Sequence, residues 1–176
     1  MLRQALIEQY HAGLAMLAQS VENCPQELWT SGTHPRTFWR IAFHAAYFTH
    51  LYLGQSVDSY QPWPARPEDF AELWQEPWSV EPYELPEDFE PYKKNQILDY
   101  IAYIDSLIDS TVEALDLDVQ GTGIPWYKNM SKLSHQLLNL RHLQGHVGQL
   151  SELLMASGDD LNPDWISKAE HLTLRT

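Results

Sequence analysis

The chain has a single cysteine, Cys24, in 176 residues, so no internal disulfide framework exists. Cys24 precedes Pro25 in an expected loop and reads as an inert thiol. Basic residues are scarce too. Eleven Lys and Arg stand against 24 Asp and Glu, a formal charge of −13. Phosphate backbones and anionic lipid surfaces repel such a chain, which argues against nucleic acid or a membrane as its partner. No apolar run approaches the roughly 20 residues that span a bilayer. The opening Met1-Leu-Arg-Gln-Ala5 lacks a basic stretch followed by an apolar one, so a cytoplasmic protein is expected. Strand-like alternation and internal repeats are also missing. Gly121-Thr-Gly123-Ile-Pro125 is no phosphate cradle, because no strand precedes it and no Lys-Ser/Thr follows.

What the chain does have is apolar and aromatic material. Its 44% apolar content suffices for one domain with a real core. Seven Trp and nine Tyr are more than such a core needs, so some should line a cavity, cover a loop or sit at an interface. The acidic residues gather in Glu68–Glu90 and Asp99–Asp118 and read as a solvated loop and a solvated helix face.

Helical periodicity recurs four times. Leu2, Leu6, Tyr10, Leu14, Leu17 and Val21 predict a first helix over 2–21, ending before Cys24-Pro25. Pro25–Trp29 reads as a short turn. Thr33-His34-Pro35 reads as a start signal for a second helix over 36–54, striped by Phe38, Ile41, Ala45, Phe48 and Leu51. A third runs over 93–115, with Ile97, Ile101, Ile104, Leu107, Ile108 and Leu115 inward. A fourth runs over 131–157, closed by Gly158. Residues 55–91 hold seven of the eleven prolines, with only Pro67–Trp74 offering a short helix. Trp63, Phe70, Trp74, Trp78, Tyr83 and Phe89 make this connection a packed cover near a site mouth rather than a disordered link. The expected fold is therefore all-α: a four-helix bundle over 1–158 with a long Pro/Trp-rich connection between the second and third helices. Residues 159–176 form a tail, packed on that domain or trailing from it.

The candidate chemistry lies in His142-Leu-Gln-Gly-His146-Val-Gly-Gln149. Histidines four apart on a helix point the same way and can clamp a metal. Eight histidines in 176 residues supply roughly 0.36 such pairs by chance, so the spacing alone is weak. Three features strengthen it. Leu138, His142, His146, Gln149 and Leu153 form a stripe expected to face inward. Gly145 and Gly148 weaken the same two turns, as close approach of a helix or ligand would require. And His44 lies on the apolar stripe of the second helix beside Ile41 and Phe48. His50, six residues on, points about 120° away and is the poorer third ligand. His135 is two turns from His142 and cannot share its ion. It reads as a pocket group or, more simply, as a capped or solvated histidine. His11, His34 and His171 read as surface or satisfied histidines. Three neutral imidazoles suit Zn, Ni, Fe or Cu and leave a position for water or substrate.

These residues also carry a resemblance. Trp39-Arg-Ile-Ala-Phe-His44, together with His142-x-x-x-His146-Val-Gly-Gln149, resembles the DinB-like (DinB/YfiT-type) superfamily of metalloenzymes. The resemblance implies a four-helix bundle with a long connection between helices two and three, and His44, His142 and His146 as metal ligands. The layout extends over about residues 1–158, while the specific signal is confined to the two short segments. Val147 stands where Arg is common. Characterised members resemble thiol-dependent transferases and isomerases.

The expected function is accordingly a metal-dependent enzyme, with Zn or Ni and a low-molecular-weight thiol, acting on small electrophilic molecules. Tyr47, His135 and Gln149 are the candidates for catalytic polar groups. A homodimer is expected. The alternatives are a metal-dependent hydrolase, a non-catalytic metal- or ligand-binding stress protein, and a plain helical bundle with incidental histidines.

Overall fold

The computed structural model describes residues 1–73, 85–158 and 160–172. Among these the chain is all-helical: α1 (Leu2–Asn23), α2 (Gln26–Trp29), α3 (Phe38–Leu53), α4 (Lys94–Ala114) and α5 (Lys132–Ser157), with one 3-10 turn at Val57–Ser59. No strand occurs among the described residues, and no described helix is long and apolar enough to cross a membrane. The second, third and fourth expected helices are α3, α4 and α5.

Local chemistry sets the boundaries. α1 stops because the residue before a proline is pushed out of the helical region, and Cys24 is extended at ψ 121°. The start of α3 differs from expectation. Thr33, His34 and Pro35 lie in a turn closed by the Arg36 N–H on Thr33 O at 2.8 Å, and helix begins only at Phe38. At α5 the Ser131 hydroxyl accepts the Ser134 N–H at 3.2 Å, an N-cap worth about 1 kcal/mol.

The four long helices share one core. α1 packs on α4 and α5, and α3 packs on the same two, so α1 and α3 face each other across the centre. Leu6, Tyr10, Leu14, Leu17 and Val21 from α1 meet Ile97, Ile101, Ile104 and Ile108 from α4 and Leu143, Val147, Leu150 and Leu154 from α5. All sixteen residues of α3 are buried. An amphipathic helix of a globular protein normally shows one face to water. Here the connection after α3 covers that face: Trp63 and Phe70 pack on Tyr100, Phe70 also on Phe43, and Phe89 on Trp39. Arg40 fastens the end of the connection with guanidinium bonds to the carbonyls of Leu85, Pro86 and Glu87.

The short helix expected over Pro67–Trp74 does not form in its described part. Only a single turn occurs, with the Phe70 N–H on Pro67 O at 3.1 Å. The expectations for Trp74, Trp78 and Tyr83 lie outside the described residues. The tail is packed rather than trailing over 161–172. It runs antiparallel to α1, with Asn23 on Leu161 O, the Asp164 N–H on Gln19, Gln9 on Ser167 O and the Ala169 N–H on Glu8 O.

Candidate metal centre

His44 on α3 and His142 and His146 on α5 converge where the two helices pack, with one potential ligand atom each, all within 4.8 Å of one another. The Nε2 atoms of His142 and His44 are 3.3 Å apart, and those of His146 and His142 are 3.0 Å apart. A metal holding imidazole nitrogens at 2.0–2.1 Å in tetrahedral geometry sets them about 3.3 Å apart, so the spacing suits a first-row divalent ion.

Hydrogen bonding fixes which nitrogen is available. Nδ1 of His146 lies 2.8 Å from Oε1 of Gln149, an acceptor, so the proton sits on Nδ1 and Nε2 keeps its lone pair. Burial lowers the pKa of His142 to about 3, aided by the neighbouring His146 and His44. Burial and His44 lower that of His146 to about 4. Both rings are therefore neutral near pH 7. Three ring nitrogens gathered this closely can be bridged only in part by the single N–H that each neutral imidazole carries, and a cation accepting their lone pairs satisfies all three at once. Phe48 and Tyr52 wall the site beside His142.

The inward stripe expected on α5 is displaced. The buried line runs through Gln136, Asn139, Leu143, Val147, Leu150 and Leu154. His142 and His146 flank it half-buried, with Leu138 and Leu153, and Gln149 is exposed. The reason lies in composition: leucines surround α5, so periodicity alone leaves two adjacent faces nearly equivalent. The displacement puts the triad at the edge of the core, where a fourth position can reach solvent. The reading of Gly145 and Gly148 is also corrected. A Cβ at either would meet nothing within 4 Å, so neither marks a close approach by another described part of the chain.

The other candidates have different surroundings. Gln149 is exposed and reaches only Nδ1 of His146, at 2.8 Å. The Tyr47 hydroxyl donates to Glu72 Oε2 at 2.6 Å, and burial raises its pKa far above the ordinary range, which suits a structural anchor for the connection. His135 is neither capped nor solvated but completely buried, against Tyr52 and Tyr127. Burial, with Lys132 second, brings its pKa to about 4. His50 turns away from the triad and lies 2.9 Å from the Tyr100 hydroxyl.

His11, expected as a surface or satisfied histidine, is buried and satisfied, at the centre of a second polar cluster. Its Nδ1 lies 2.6 Å from Asp105 Oδ1 and its Nε2 2.9 Å from Asp109 Oδ2. Burial alone would lower its pKa, but hydrogen bonds and charge from the two carboxylates outweigh this and raise it. The signal was available: Asp105 sits inside the apolar stripe of α4, and Asp109 follows four residues later. The two acids grip opposite ring nitrogens, so this cluster is an ion-pair clamp and not a second metal site.

No family model, curated protein or solved structure matches the chain.

Proposed function

We propose that this chain is a metal-dependent enzyme of DinB-like type, a four-helix bundle with a long connection between its second and third long helices. In this reading it transfers a low-molecular-weight thiol to a small electrophilic molecule. The observation that carries the proposal is the convergence of three Nε2 atoms from His44, His142 and His146 at metal-ligand spacing. The chemistry of the donor set supports zinc or nickel. A bound divalent ion would act as Lewis acid and lower the pKa of a thiol or water near it.

The chain's own residues set up that chemistry. Gln149 holds the His146 proton on Nδ1 and keeps Nε2 free to ligate. Phe48 and Tyr52 provide apolar wall beside His142, which favours an uncharged carbon electrophile. Arg36 is exposed and its positive charge acts on His146, so it favours an anionic group on the incoming thiol. Exposed Leu137, Met155 and Trp165 are consistent with a homodimer.

The test uses protein loaded with zinc or nickel and an aryl halide electrophile, with and without an anionic thiol. An ester panel without thiol runs in parallel. Loss of the electrophile only when thiol is present, abolished by His142→Ala, is expected. Ester cleavage without thiol would move the reading to a hydrolase. Tight metal retention with no turnover on either panel would move it to a non-catalytic binding protein.

A further inference from the structure

Lys132, His135, Gln136 and Asn139 form a row of buried polar side chains on α5 that leads to His142. Most of their polar atoms have partners. The Lys132 ammonium donates to the carbonyls of Gly54, Gln55 and Thr122. Gln136 donates to Tyr52 O at 2.9 Å and accepts the Tyr10 hydroxyl at 2.7 Å. Nδ2 of Asn139 donates to the Tyr10 hydroxyl and to Thr49 O, both at 3.1 Å. A backbone carbonyl only accepts, so the Asn139 amide cannot be reversed and Oδ1 stays on the side away from Thr49 O.

That oxygen is buried with no hydrogen-bond partner among the described residues. The same holds for both ring nitrogens of His135 and for Nδ1 of His142. The three residues are spaced i, i+4 and i+7, so the orphaned atoms lie along two turns of one helix face. Buried polar atoms without a protein partner are costly, and ordered water is their usual partner. A metal-bound histidine, in turn, normally donates its second ring N–H to a carbonyl, carboxylate or water.

We propose that ordered water joins Nδ1 of His142 to Oδ1 of Asn139, making Asn139 the positioning residue for that ligand, with His135 at the far end of the same hydrated seam. The proposal rests on the metal reading of the triad only for its consequence, not for the water. His142 donates Nδ1–H to the water, and the water donates to Asn139 Oδ1. Nε2 of His142 then faces His44 and His146 with its lone pair. Gln149 does the same directly for His146, from three residues on the other side. Each α5 ligand is thus held by an amide carbonyl one turn away.

The experiment compares untagged full-length wild type with Asn139→Leu and with Tyr10→Phe. Tyr10→Phe disturbs the same buried network but leaves Oδ1 in place. High-resolution crystal structures of the metal-free and zinc-soaked wild type are expected to contain one water within hydrogen-bond distance of both Asn139 Oδ1 and His142 Nδ1. Nitrogen-15 correlation spectra of the wild type should give His142 as the Nδ1–H tautomer. Asn139→Leu should lose that tautomer and bind zinc about 10- to 100-fold more weakly in chelator competition, whereas Tyr10→Phe keeps both. A dry gap between the two atoms, or a folded Asn139→Leu with unchanged tautomer and zinc affinity, overturns the proposal. So does a Tyr10→Phe variant as weak for zinc as Asn139→Leu, which would mark a purely structural effect. If Asn139→Leu does not fold, the wild-type water and tautomer decide. If wild type binds no zinc, the triad reading fails separately, and the water and tautomer of the metal-free protein still decide this one.

Discussion

His146 and Gln149 form the most directly readable unit of the site, a candidate ligand and an amide oxygen 2.8 Å from its Nδ1. Gln149 is exposed, so its removal should leave the fold intact. Gln149→Leu is expected to weaken zinc binding about 10- to 100-fold in chelator competition with unchanged thermal stability, as outer partners of metal-bound histidines generally do. His11 supports a pH prediction. Its folded pKa is raised above the unfolded value of about 6.5. The His11–Asp105 pair therefore stabilises fully below that value and loses its effect as pH rises through the raised pKa. The stability gap between wild type and Asp105→Asn in urea titrations should be large near pH 6 and shrink under alkaline conditions. A gap that stays constant would contradict the assignment. At this scale the sequence was informative about identity more than placement. Spacing picked out His142 and His146, and the stripe of the second helix picked His44 over His50. Which neighbour held each ring depended on contacts between distant segments, such as His11 with Asp105, that no local pattern encodes.

Helix existence was legible because each long helix repeats apolar residues at 3.6-residue spacing, and the ends of α1 and α5 follow from Pro25 and Ser131. Two features were not. Helix α3 begins later than the Pro35 signal implied, because Thr33 and Arg36 close a turn first. And α5 is rotated relative to its expected inward face, since Leu138 and Leu143 are equally apolar and only packing against α1 and α3 chooses between them. Lys132 shows how packing uses the buried side of α5. Its ammonium gathers the carbonyls of Gly54, Gln55 and Thr122, tying the end of α3 to the loop before α5. The approach is so close that a Cβ on Gly123, at φ +70°, would stand 2.3 Å from Gln55 O. Lys132→Met removes three hydrogen bonds and leaves one buried and two part-buried carbonyls without that partner, the buried one costing about 1–3 kcal/mol. A loss of about 1–3 kcal/mol in chemical denaturation is expected. A change below about 0.5 kcal/mol, the size of an ordinary surface substitution, would refute the clamp.

For the molecule as a whole, burial of every residue of α3 links the fold to the site. The connection covers one side of α3 through Phe70 on Phe43 and Phe89 on Trp39, with Trp63 beside them on Tyr100 of α4, while His44 meets α5 on another. Of the aromatics expected to pack over the domain, Trp63, Phe70 and Phe89 lie among the described residues and do so. The sequence left the tail either packed or trailing and did not place it along α1, because the tail's side of the anchoring bonds is backbone and carries little sequence signature. The arrangement sets a central requirement: α3 and α5 must hold their register for three imidazoles to meet. Metal analysis of untagged wild type and His44→Ala, both checked for helicity, tests it most directly. Wild type should retain about one equivalent of zinc or nickel, as a single site of this type does, and His44→Ala should retain almost none at unchanged helicity. Less than about 0.2 equivalents in metal-supplemented wild type, or equal retention by His44→Ala, would contradict the account.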